Sequence, residues 1–292
     1  MQWARWKTAG WIVGAVGLLL GAGAPAQDGP ALSAERYVRY GFSVQNTTDQ
    51  LLSEAELWVC TPLPLAAQQR LKEWKTSPAF TDERVDCLGN HLVRFSFRNL
   101  PPYAVSIVTV EATLEMGETQ PSAVVDPAAW LKAEPLFEHT DEAFDQLAPA
   151  FAGDPPEQAA REIYDWVRGH VQDGPYDGTD RGARYALLNR KGDCTEFAAL
   201  YVALCRRAGI PARGMGGYVV ARNTTLNPAT YHNWAEILLD GRWQVVDPHA
   251  GVFLDRQNQY VGVRILGVSD SPLENFSRFR YRGAGLKVVM NP

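Results

Sequence analysis

The sequence predicts an α+β protein, a small β-sandwich followed by a core of helices and a β-hairpin, and three observations carry that expectation. Residues 37–116 form a succession of short segments with period-two alternation. Beyond Asp126 the apolar residues recur at helical spacing instead. Further on, Asp240-Gly241 separates two alternating apolar runs, which is the signature of a two-residue hairpin turn.

The N-terminus, residues 1–26, has the layout of a secretory signal peptide: Arg5 and Lys7, an apolar run from Trp11 to Leu20, then the small residues of "GAGAPA". That run is short for a membrane span, and no cysteine follows to accept a lipid. The expected product is periplasmic or secreted, without stable membrane insertion after cleavage. An uncleaved anchor is the competing reading. The formal net charge of −5 becomes −7 when Arg5 and Lys7 leave with the signal segment. With no basic run or basic amphipathic face, nucleic acid is not an expected partner.

The sandwich is expected over residues 33–116. In "HLVRFSFR" Val93, Phe95 and Phe97 alternate with Arg94, Ser96 and Arg98, as in a half-buried strand. Several such segments broken by Asn, Pro and Gly suggest two packed sheets. A second domain is expected over 127–292. It opens with "AWLKAEPLFEHTDEAFDQLAPAFAG" and "PPEQAAREIYDWVRGHV", where Ala159, Ile163, Trp166, Val167 and His170 fall on one helical face.

The next helix carries the first chemical signal. In "KGDCTEFAALYVALCRRAGIP" Asp193 and Glu196 have the spacing of a capping box. Phe197, Leu200, Tyr201, Leu204 and Ala208 make an apolar stripe, and Gly209 with Pro211 closes the helix. Cys194 then sits at the first helical position. Cys205, about 16 Å further along the same axis, is too far for a disulfide, which needs Cα atoms within about 7 Å. Cys60 and Cys87 are the natural pair for a disulfide in the β-domain. Cys205 reads as a small buried hydrophobe. Cys194 lies beside unpaired backbone N–H groups and the positive end of the helix dipole, which favour thiolate. An inert cysteine that merely packs there is the alternative, and a neighbouring base decides between the two.

The hairpin supplies that base. With Asp240-Gly241 as the loop, Leu239 faces Arg242, and counting outward Trp234 faces Asp247 and His232 faces His249. His232, Trp234, Glu236, Trp243, Val245 and Asp247 therefore share one face of the sheet. His232 and Asp247 become diagonal neighbours within side-chain reach. Cysteine, histidine and carboxylate together are the constellation of nucleophilic acyl transfer, in which thiolate attacks, imidazole shuttles the proton and the carboxylate orients the imidazole. The backbone N–H of Cys194 is placed to donate to an oxyanion; no second donor is identified. His249 is the rival base. A metal site from Cys194, His232 and Asp247 is disfavoured, because no further Cys or His stands at ligand spacing, and no metal or cofactor is expected. Trp234 and Trp243 are expected to pack over the site.

The runs "GDCTEFAALYVALCRRAGIPARGMGGYV" and "YHNWAEILLDGRWQVVDP" resemble the core of the bacterial transglutaminase-like superfamily, and the helical lead-in upstream extends the likeness to about residues 130–250. The resemblance implies a papain-like transglutaminase core preceded by a β-sandwich, with the family's Cys, His and Asp falling on Cys194, His232 and Asp247. It implies a cysteine-dependent amide hydrolase or acyltransferase working through a thioester. Expected substrates are protein or peptide amides, cell-wall peptide among them. A non-catalytic binding or assembly module of the same fold is the alternative. Arylamine N-acetyltransferase uses similar residues, but with the nucleophile in the first third of the chain behind a helical domain.

Overall fold

A computed structural model describes residues 34–117, 126–151, 153–176, 178–273 and 278–292. The expected signal segment lies outside the described residues. Among those residues no helix is long and apolar enough to cross a membrane.

Alternation builds the sandwich. Strand β1 (Ala34–Asn46) buries Val38, Tyr40, Phe42 and Val44 and turns the residues between them outward. It continues through β2 (Leu52–Cys60), β3 (Gln69–Ser77), β4 (Asp82–Val85), β5 (His91–Leu100) and β6 (Val105–Met116). One sheet pairs β1 with β6 and β6 with β3; the other pairs β2 with β5 and β5 with β4. In β5, Val93 and Phe95 are buried while Ser96 and Arg98 are exposed, as the alternation requires.

Among the described residues four α-helices follow: α1 (Glu142–Leu147), α2 (Pro156–His170), α3 (Gly182–Asn189) and α4 (Cys194–Arg207). In α2 the buried face is Ala159, Ala160, Ile163, Tyr164 and Val167. Trp166 and His170, expected on that face, lie outside it. Their rings stack with centroids 4.5 Å apart, and the Arg190 guanidinium covers the Trp166 ring. A cation–π contact of this kind gives an aromatic ring a partner without core burial.

The second sheet system is antiparallel: β7 (Ala212–Val219), β8 (Tyr231–Leu239), β9 (Arg242–Asp247) and β10 (Tyr260–Leu266), in the order β9-β8-β7-β10 with Val252–Phe253 on the outer edge of β9. The hairpin turn takes positive φ at both Asp240 (48°) and Gly241 (73°), which is the backbone a two-residue I′ turn needs. Pairing runs as counted, from Leu239↔Arg242 to Ala235↔Val246. One face of this sheet packs on α4, whose residues from Thr195 to Arg206 are all buried. Tyr218, Val261 and Val263 join the sandwich core instead.

The chain then returns to the sandwich, which the expected assignment of 127–292 to a separate domain did not anticipate. Strand β11 (Phe279–Arg282) pairs with β2, and β12 (Leu286–Met290) pairs with β1, setting Met290 opposite Phe42. The described residues from Ala34 to Pro292 accordingly belong to one compact unit.

The expected Cys60–Cys87 disulfide is absent: all four cysteines are free. Cys60 closes β2 with its side chain in the sandwich core, where burial pushes its thiol up to about 12. Cys87 is exposed on the turn that precedes β5, its backbone N–H held by Asp270 Oδ1 at 2.8 Å.

Candidate active site

Cys194 owes its place to the cap of α4. Asp193 takes extended backbone angles and its Oδ1 accepts the Thr195 N–H at 2.8 Å. The Glu196 carboxylate reaches back to the Asp193 N–H at 3.1 Å, completing the capping box. Glu196 also accepts the N–H of Arg181 at 2.9 Å and is almost fully buried, so one side chain ties the start of α3 to the start of α4. Burial, with the nearby Asp193 charge, raises its pKa despite those donors. A side chain at Gly192 would collide with Glu196, so the residue two before the nucleophile has to be glycine. On the same helix Cys205 is fully buried and its thiol is pushed up to about 12 by burial. The two cysteines therefore differ in environment, as their positions on one continuous helix predicted.

The hairpin delivers the other two groups. His232 Nε2 lies 2.6 Å from Asp247 Oδ2, and Asp247 is fully buried. Cys194, at the start of α4, acts on the same imidazole. Burial alone would lower the His232 pKa, but hydrogen bonds to Asp247 and Cys194 outweigh it and raise it to about 10. Burial works against the Asp247 charge as well. Donation from His232, Ala250 N–H (2.9 Å to Oδ1) and Tyr260 Oη (3.0 Å to Oδ2) overcomes it and leaves the carboxyl below its ordinary range. Arg168, from α2, donates to the Pro248 carbonyl at 2.8 Å and fixes the turn behind Asp247.

The rival histidine is placed otherwise. Strand β9 ends at Asp247, before proline, so the ladder never extends to a His232–His249 pair. His249 turns to Asp173, with Nε2 3.0 Å from Oδ1, and its ring lies edge-on to Phe197. The two imidazoles stand 5.8 Å apart, centroid to centroid. Trp234 is where expected: fully buried and stacked on the His232 ring at 6.5 Å. Trp243 is not over the site. It lies opposite Leu238, well down the hairpin, and packs against Trp130 and the Arg213 guanidinium.

Sequence reasoning missed Tyr260 and the glycine pair on β7. Gly217 stands opposite His232, and a Cβ there would fall 2.8 Å from the Trp234 ring. The Gly-Gly of "GMGGY" was the available signal, since adjacent glycines within a strand mark close approach of another group.

Residues 145–248 match the transglutaminase-like superfamily. This segment, less than half of the chain, contains α2 to α4, β7 to β9 and all three of Cys194, His232 and Asp247. Among solved structures, the chain is similar to a protein of Cytophaga hutchinsonii provisionally assigned as a cysteine protease. They share 18% identity and a TM-score of 0.54, over 89% of this chain and 93% of that one. The shared fold thus takes in the sandwich as well as the core. The periplasmic domain of TgpA from Pseudomonas aeruginosa aligns over 72% of this chain and 87% of its own, at 18% identity and a TM-score of 0.38. No curated protein matches the chain.

Proposed function

We propose that the protein is an extracytoplasmic cysteine-dependent amide hydrolase or acyltransferase that works through a thioester at Cys194, with protein or peptide amides as substrates. The observation that carries this reading is the 2.6 Å contact of His232 Nε2 with a buried, ionised Asp247, with Cys194 at the start of α4 acting on the same imidazole. A thiol, a base and an orienting carboxylate in hydrogen-bonded series are what acyl transfer needs.

In the first half-reaction the Cys194 sulfur attacks the amide carbon while the carbonyl oxygen takes the negative charge. The Cys194 backbone N–H, at the start of α4, stabilises that oxygen. As the C–N bond breaks, His232 gives its proton to the departing amine, and a thioester remains. In the second half-reaction water or an amine loses a proton to His232 and attacks the thioester. The C–S bond then breaks and thiolate is regenerated, with Asp247 holding the ring in one orientation throughout. Trp234 shields one face of that ring from water. The signal-like N-terminus supports action outside the cytoplasm, on protein or cell-wall peptide.

The test is intact-mass measurement after treatment with an amide-directed electrophile at neutral pH. One adduct, on Cys194 and missing in Cys194→Ala, is the expected result. Absence of an adduct from the wild-type protein overturns the catalytic reading in favour of a binding module.

A further inference from the structure

We infer that Tyr260 is a positioning residue, whose hydroxyl anchors the Asp247 carboxylate from a strand that carries none of the reacting groups. This inference rests on the Cys194–His232–Asp247 reading and extends it.

Tyr260 opens β10, which is separated from β8 by β7 and from β9 by two strands. Its side chain nevertheless crosses to the far end of β9, and its hydroxyl donates to Asp247 Oδ2 at 3.0 Å. That is the same oxygen that meets His232 Nε2 at 2.6 Å. The Tyr260 ring stands edge-on to Trp234, with centroids 5.1 Å apart, and Trp234 in turn stacks on His232. Four side chains thus close a loop of contacts: imidazole to carboxylate, carboxylate to phenol, phenol to indole, indole back to imidazole. Every member except His232 is buried. The loop holds the imidazole along its edge and across its face at once.

Two roles are possible for a phenol in such a place, and they differ in what removing the oxygen does. A purely structural Tyr260 acts through its ring, and phenylalanine replaces it. A positioning Tyr260 acts through its oxygen. A carboxylate fully out of water needs donors to stay charged, and Tyr260 supplies one of three, with His232 and the Ala250 N–H. Arg256 and Asp255 flank the phenol with opposite charges, and Cys194 and His249 are the other titratable groups beside the imidazole.

The experiment measures the rate of Cys194 alkylation by iodoacetamide against pH in the full chain, which requires no knowledge of the substrate. Tyr260→Phe is expected to move the acid limb of the profile up by about one pH unit and to lower the plateau rate about three- to tenfold. The melting temperature should stay near that of wild type. Replacement of Tyr260 by 3,5-difluorotyrosine, a stronger donor of the same shape, is expected to move the limb the opposite way. This second variant decides the matter should Tyr260→Phe fold poorly. Superimposable profiles, or a downward shift in Tyr260→Phe, overturn the inference while leaving the triad intact. A wild-type profile that does not distinguish Cys194 from a free thiol overturns the catalytic reading itself.

Discussion

The protein holds two histidine–aspartate pairs side by side, and burial separates them more than distance does. His232 and Asp247 meet at 2.6 Å with side-chain exposures of 17% and 1%; His249 and Asp173 meet at 3.0 Å with 29% and 71%. In water an ion pair contributes little, because solvent competes for both partners and salt screens them. Inside, the carboxylate has no such choice. It must be neutralised by protonation or surrounded by donors, and Asp247 has three. Only the first pair holds its imidazole in one orientation against a carboxylate that water does not reach.

The widest expected separation between the pairs is in catalysis. Cys194→Ala and His232→Ala should each reduce thioester formation to background, a loss on the order of 10³-fold or more. Asp247→Asn should cost about 10²- to 10⁴-fold, since an amide there no longer stabilises the imidazolium or fixes its tautomer. Single-turnover acylation with mass detection measures both. Full activity in His232→Ala would transfer the base role to His249 and undo the comparison.

A second buried pair tests whether burial alone produces function. Arg213 and Glu236 share two hydrogen bonds on the same sheet, and Glu236 Oε1 also accepts the Ala67 N–H at 3.1 Å, tying the core to the sandwich. Arg213 in addition lies over the Trp243 ring at 4.1 Å. Glu236→Ala strands a buried guanidinium and should destabilise by about 3–5 kcal/mol in denaturant unfolding. The intrinsic rate of Cys194 acylation in the remaining folded protein should be unchanged. A specific loss of acylation would mean that Glu236 belongs to the site.

The hairpin was legible because parity is unforgiving: once Asp240-Gly241 is the turn, each residue of β8 and β9 is assigned a face, and His232 and Asp247 land together. The cap of α4 was legible for a similar reason, since the Asp193 and Glu196 spacing fixes where the helix starts. Contacts between strands distant in sequence left no such mark. Tyr260 reaches Asp247 only because β10 pairs on the far side of β7, and no local pattern encodes that order. The return of β11 and β12 to the sandwich was hidden for the same reason. Cys60 misled because the last four residues of β2 are all buried, so alternation no longer shows that its side chain faces the core.

The pairs should also differ in how stability depends on pH. The folded-state pKa of His232, about 10, is above its ordinary 6.5, so its contribution is fully present below about pH 6.5 and is lost as pH rises through about 10. Asp247 has the opposite sign: its lowered pKa gives a contribution that is present above the ordinary 3.8 and lost as pH falls through the folded value. The stability difference between wild type and Asp247→Asn should therefore be largest between about pH 4 and 6.5 and shrink on both sides. Urea unfolding at a series of pH values reads this directly. A difference that stays level up to pH 10 would mean the imidazole is not held protonated.

The smallest expected effect belongs to the exposed pair. Asp173 follows Gln172 in a short strand paired with Lys191–Gly192, so His249 connects the turn after Asp247 to the segment that leads into Cys194. A tether in that place looks functional. Yet Asp173 is 71% exposed, and the segment is already held by the Gly174 N–H to Gly192 carbonyl bond at 2.8 Å and by the cap of Glu196 on Asp193. With those fixed, His249→Ala and Asp173→Asn should each change acylation by no more than about twofold, the scale of a screened surface pair. The small effect should fade as salt is raised. If either variant instead slowed the second half-reaction tenfold while leaving acylation intact, His249 would be acting on the incoming water or amine. The two histidines would then divide the chemistry between them, one for each half-reaction.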